Sequence, residues 1–150
     1  MGVVYDMVYM FKKKHPGGVS WRLRKNSEVV ERYINPDEKV RYAFVAQKNE
    51  KWHEIFGTAV IALTTKRLLI GRKRVVIGEL YTYVTPDMFN DLKIYKGILW
   101  GTIKIDTMKE HIVLTNIPKS ALDEIETEIS NFMMEEKKKY HGRGEHSKTK

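Results

Sequence analysis

The hydrophobic period changes twice along the chain, and this constrains the fold more than any other feature. From Val40 onward, apolar residues recur at every second position. Val40, Tyr42, Phe44 and Ala46 alternate with Arg41, Ala43, Val45 and Gln47, which places the two sets on opposite faces of a strand. A β-rich run covers residues 57–64, and Thr65-Lys66 turns the chain into the short apolar run Arg67 to Ile70. Gly71-Arg72-Lys73 reads as the next turn, followed by a long β-branched and Tyr-rich run from Val75 to Val84. After Pro86-Asp87, Leu92 and Ile94 alternate with Lys93 and Tyr95, and Lys96-Gly97 turns again. Leu99, Ile103 and Ile105 face one way, with Thr102, Lys104 and Asp106 facing the other. Thr107 to Lys109 is a turn, and Ile112 and Leu114 end the series. Seven strands at this regular spacing predict a sandwich or barrel. The period then becomes helical: Leu122, Ile125, Ile129, Phe132 and Met133 form one apolar stripe. Ser120 with Asp123 resembles a capping box. Asp123, Glu124, Glu126 and Glu128 read as the solvated face, with Lys137 to Lys139 late in the helix, where its dipole favours cations.

Two segments precede the strands. In residues 1–18 the apolar run Val3 to Phe11 is broken by Asp6 and followed by Lys12-Lys13-Lys14 and Pro16-Gly17-Gly18. The order is wrong for a secretory signal, and Asp6 stands where a myristoylation motif needs Ser or Thr. This reads as a helical arm whose Val4, Met7, Val8, Met10 and Phe11 need a covering surface. Three coverings remain open: the chain's own domain, a partner subunit, or a membrane with the lysines at its headgroups. Residues 20–35 predict a short helix, capped by Ser27 with Glu28 and Glu31 in its first turn. Asn35-Pro36-Asp37 ends it. The expected organisation is therefore an arm and short helix over 1–35, a β-domain closed by one helix over 36–140, and a disordered polar tail over 141–150.

A chain of 150 residues is one domain's worth. The absence of Cys removes disulfides, thiolate metal sites and thiol catalysis, and fits a reducing cytoplasm. His15, His53, His111, His141 and His146 include no pair at ligand spacing in an ordered element, so no metal is expected. There is no nucleophile elbow, no phosphate-cradling glycine loop and no carboxylate pair in contrasting surroundings. The expectation is a chain that is not an enzyme, with no cofactor and no small-molecule substrate. No apolar run approaches the roughly 20 residues of a membrane span.

The formal net charge is +8, and residues 39–116 hold +6 of it, concentrated at turns. Lys48 and Lys51, Lys66 and Arg67, Arg72-Lys73-Arg74, and Lys109 are the basic turn residues. They either keep sheet edges from pairing or meet an anionic surface, where each cation contributes about 1 kcal/mol. Trp52, beside the first cluster, is suited to a bilayer interface. Nucleic acid is not expected as a partner. Tyr81, Tyr83 and Tyr95 are spaced for cross-strand packing, and no basic stripe with stacking aromatics accompanies them.

Three stretches carry a resemblance: Asn35-Pro36-Asp37-Glu38-Lys39-Val40, the segment Ala62-Leu63-Thr64-Thr65-Lys66-Arg67-Leu68-Leu69-Ile70, and the hairpin Lys96-Gly97-Ile98-Leu99-Trp100-Gly101-Thr102-Ile103. In this order, before a terminal amphipathic helix, they resemble the bacterial pleckstrin-homology-like (PH-like) domains of the YokE-like type over residues 36–134. The resemblance implies a seven-stranded antiparallel β-barrel or sandwich of two near-orthogonal sheets, with the last helix plugging one end. It also implies that the first, third and sixth inter-strand loops gather at the open end. Lys48, Lys51, Trp52, Arg72, Lys73, Arg74 and Lys109 would then form a ligand face. Phosphoinositide-reading PH domains share a Lys, spacer, Lys/Arg-x-Arg pattern, whereas here Trp52, His53 and Glu54 follow Lys51. The implied function is a non-catalytic binding module for protein–protein assembly or self-association, in the cytoplasm. The alternative is peripheral binding to anionic lipid at the inner face of a membrane.

Overall fold

The computed structural model describes residues 2–18, 22–48, 58–73 and 78–148. Two helices, α1 (Val3–Lys14) and α2 (Leu23–Tyr33), precede seven strands. These are β1 (Val40–Gln47), β2 (Thr58–Thr64), β3 (Leu68–Lys73), β4 (Glu79–Val84), β5 (Phe89–Lys96), β6 (Trp100–Thr107) and β7 (His111–Pro118). A 3₁₀ turn, Lys119–Ala121, leads into α3 (Leu122–Lys148). All strand pairs are antiparallel, in the order β4-β3-β2-β1-β7-β6-β5. Among the described residues, β1 and β7 share the single residue pair Gln47–Thr115, so the sheet falls into two halves, β1–β4 and β5–β7, joined at one corner.

The α3 stripe lies where the sequence puts it: Leu122, Ile125, Ile129, Phe132 and Met133 are buried in one core with Ile103, Ile105, Ile112 and Leu114 of the far half-sheet. Each such side chain contributes about 1.5–3 kcal/mol by leaving water. Alternation is visible in β6 and β7, which keep one face wet. β2 is buried at all seven positions. Its barrel-side face meets the core, and α1 and α2 take up the outer side of the β1–β3 region.

α1 packs on its own domain. Val4, Val8 and Phe11 lie one and two turns apart on one face and are buried. The Phe11 ring contacts Tyr42 edge-on at 6.3 Å and Phe44 at 6.0 Å. The Glu31 carboxylate of α2 accepts the N–H groups of Val4 (3.0 Å) and Tyr5 (3.3 Å), a partner for two of the first-turn donors that a helix leaves unpaired.

Several local expectations are corrected. Ser27 does not cap α2: it lies inside the helix, buried, with its hydroxyl donating to the Leu23 carbonyl. Arg22, in the left-handed region at φ 55°, starts the helix instead. Gly71-Arg72-Lys73 is not a turn but the second half of β3, paired with Tyr81, Leu80 and Glu79. Gly71 serves close packing there, since an added Cβ would come within 3.0 Å of Val29 and Val30 on α2. Leu99 is 69% exposed and does not share the buried face of Ile103 and Ile105. Ser120 turns to His15 rather than capping α3. α3 continues to Lys148, through the stretch expected to be disordered, and no proline interrupts it.

Candidate functional site

A groove of about 700 Å³ opens between α1, the start of β1 and the first turn of α3. Its apolar walls are Val3, Met7, Met10 and Phe11 from α1 and Ala43 from β1. Asp6, Lys13, Lys14, Arg41, Tyr42 and Glu124 supply the polar lining. Val3 and Met10 are 58% and 61% exposed. The burial of Val4, Val8 and Phe11 fixes α1, and the positions next to them on the helix are thereby held over the groove.

A polar cluster ties the three elements together beside the groove. Glu124 Oε2 accepts from Tyr42 Oη at 2.8 Å and from His15 Nε2 at 3.0 Å. Its other oxygen pairs with Lys14. His15 is buried, and its Nδ1 meets Ser120 Oγ at 2.9 Å. Burial pushes the Glu124 carboxyl up, but the hydrogen bonds from Lys14, Tyr42 and His15 outweigh it and hold the group down at about 2. Burial, together with the hydrogen bond to Glu124, drives the Tyr42 hydroxyl far above its usual range, so it stays a donor. Glu124 stood in the sequence as one of several acids on a solvated helix face, and nothing local separates it from Glu126 or Glu128.

Of the arm residues expected to meet a partner, Val4 and Val8 are buried in the chain's own core, and Phe11 is buried there while also bordering the groove. Met7 and Met10 line the groove. Of the basic residues expected to meet a ligand, two come together. Lys48 and Arg72 line one small pocket of about 60 Å³ with Thr82. The Thr82 hydroxyl donates to Glu110 at 3.2 Å, bringing the β6–β7 turn alongside. On that turn Lys109 sits over the Tyr83 ring at 5.5 Å, and Met108 is 73% exposed. Lys73 ends β3, its N–H donating to buried Asn26 of α2. Lys51, Trp52 and Arg74 lie outside the described residues. Tyr81 packs on the helix rather than across strands, stacked on Tyr33 of α2 at 3.8 Å.

A second buried polar cluster is structural. Glu38, its side chain 1% exposed, accepts from Arg67 at 2.9–3.3 Å and from Thr64 Oγ at 2.6 Å. Arg67 also donates to the Tyr81 hydroxyl and the Tyr33 carbonyl. Among the described residues, no three His, Asp or Glu side chains gather to hold a metal ion. No helix of these residues is long and apolar enough to cross a membrane.

Three comparisons with known proteins bear on this arrangement. The family model described as a bacterial PH domain matches residues 34–131. No curated protein matches the chain. Among solved structures, the crystal structure of a pleckstrin homology domain from Shewanella amazonensis SB2B is similar, with a TM-score of 0.52 at 11% identity. That match covers 83% of this chain and 98% of the other, and it shows a shared fold.

Proposed function

The chain belongs to the bacterial PH domain family, whose PH-like fold generally serves as a non-catalytic binding module, and from that premise we propose that it mediates protein–protein assembly. In this reading the groove between α1, β1 and α3 holds an apolar segment of a protein partner, which includes a second copy of this chain. The observation that carries the reading is the exposure of Met10 and Val3 beside the groove, on a helix already anchored by Val4, Val8 and Phe11. An apolar surface held open by a fixed helix marks an interaction site, and flexible methionines adapt to what they meet. Light-scattering mass across a concentration series, at low and high salt, tests self-association. The expected result is a concentration-dependent, salt-resistant mass that Met10→Glu returns to the monomer. A monomer at every concentration overturns self-association.

A second reading, contact with anionic lipid, is favoured by Lys48 and Arg72 bordering one pocket and by the exposed Met108 next to Lys109. It requires sedimentation with vesicles containing anionic lipid, lost at high salt and lost in Arg72→Glu/Lys73→Glu. Binding that survives both changes overturns it.

A further inference from the structure

We infer that the occupant of the groove is an extended strand that adds to the free edge of β1, an inference that rests on the groove reading above. Arg41, Tyr42 and Ala43 all border the groove. The groove thus meets β1 along three consecutive residues at its start. One edge of β1 is occupied by β2, with Tyr42 opposite Leu63 and Ala43 opposite Ala62. Among the described residues, β7 pairs with β1 on its other edge only at Gln47–Thr115. Among the described residues, Arg41 to Ala43 therefore have no ladder partner there.

A second feature marks the same place. Val40 is opposite Thr64 and Tyr42 is opposite Leu63, so Arg41 is an extra residue in the register. Bulges of this kind occur where an edge ends its pairing or a side chain is re-aimed. A row of unpaired N–H and C=O groups is a template for another strand, which gains main-chain hydrogen bonds from the edge and specificity from the pockets beside it.

The walls define the chemistry of that strand. Met7 and Met10 receive apolar side chains at alternate positions. Lys13 and Arg41 stand at the rim with Asp6, Arg41 also lying over the Phe132 ring of α3 at 5.9 Å, while Lys14 is engaged by Glu124; the three rim groups leave a net positive charge. The complement is an extended peptide with alternating apolar residues and acidic groups between them.

The experiment uses the isotope-labelled full chain and a capped octapeptide alternating valine and glutamate. Its controls are the same peptide N-methylated at alternate residues, in either register, and one with lysine replacing glutamate. The unmodified peptide is expected to shift the Arg41, Tyr42 and Ala43 amides and to slow the exchange of those whose N–H faces the open edge rather than β2. N-methylation of the register that faces β1 should weaken binding at least tenfold, as should lysine for glutamate, and Met10→Glu in the protein should weaken it similarly. Equal binding of both N-methylated peptides overturns strand addition and leaves the groove reading standing. An absence of change at residues 41–43 at millimolar peptide also overturns strand addition. The Met10→Glu scattering result then decides, separately, whether the groove mediates self-association.

Discussion

Replacing Glu124 by glutamine tests how the wall of the groove is held. The carboxylate joins α3 to β1 through Tyr42 and to the end of α1 through His15 and Lys14. Its drop from an ordinary 4.5 to about 2 corresponds to about 3 kcal/mol of linked stability. Lys14 is 66% exposed and its share is screened by water, which leaves about 2 kcal/mol. The folded carboxyl is more acidic than the unfolded one. The stabilisation is therefore complete above pH 4.5 and is lost as the pH falls through about 2. Glutamine keeps an acceptor oxygen for Tyr42 and His15 but carries no charge at any pH. Urea unfolding of the two proteins, at pH 7 and then in steps down to about pH 2.5, reads the difference directly. With a slope of about 2 kcal/mol per molar urea, the midpoints should differ by about 1 M at pH 7 and converge below pH 4.5. A gap that is unchanged across the acid range would refute the reasoning, because the charge would then contribute nothing. So would a gap at neutral pH of less than about 0.3 M, a fraction of what the linkage requires.

Three further substitutions address the frame around the site. Gly101→Ala places a Cβ no farther than 3.0 Å from three carbons of the Leu122 side chain, and the overpacking should cost about 1–3 kcal/mol in thermal unfolding. Arg67→Met leaves the Glu38 carboxylate buried without its cation and should cost about 3–5 kcal/mol, whereas the double change with Glu38→Leu should recover most of it. Ile129→Ala, a fully buried position on the α3 stripe, should cost about 2–5 kcal/mol by denaturant unfolding.

The strands were legible where one face is wet and one is dry, as in β6 and β7, because burial then writes itself into the sequence as alternation. β2 carries no alternation, being buried on both faces, and only its β-branched content marked it. The α3 stripe was legible for the same reason as β6. The clustering of the groove residues was not. Glu124 meets Tyr42 across 82 positions of sequence and His15 across 109, so the cluster exists only once β1 and α3 have been brought together. Nor could the sequence choose among the coverings for the arm. The spacing of Val4, Val8 and Phe11 announces a helix face, but the surface it covers, Tyr42 and Phe44, belongs to a strand some 30 residues on.

The position of α1 relative to the family domain joins stability to binding. The family match begins at residue 34, and α1 (Val3–Lys14) lies wholly before it. Yet α1 supplies Val4, Val8 and Phe11 to the common core and one wall of the groove. The groove is thus a feature of the addition and the domain together. Removing residues 1–18 would uncover Phe44 and the neighbouring face of β1 at the same time as it removed Met7 and Met10. Loss of binding in such a truncation would not separate a missing site from a damaged fold. Met10 is the position that separates them. It is exposed, a charge there should change stability by no more than about 0.5 kcal/mol, and it stands on the groove wall. A Met10→Glu chain that unfolds like the parent but no longer takes up its partner would assign the binding to α1's outward face rather than to the folding of the arm.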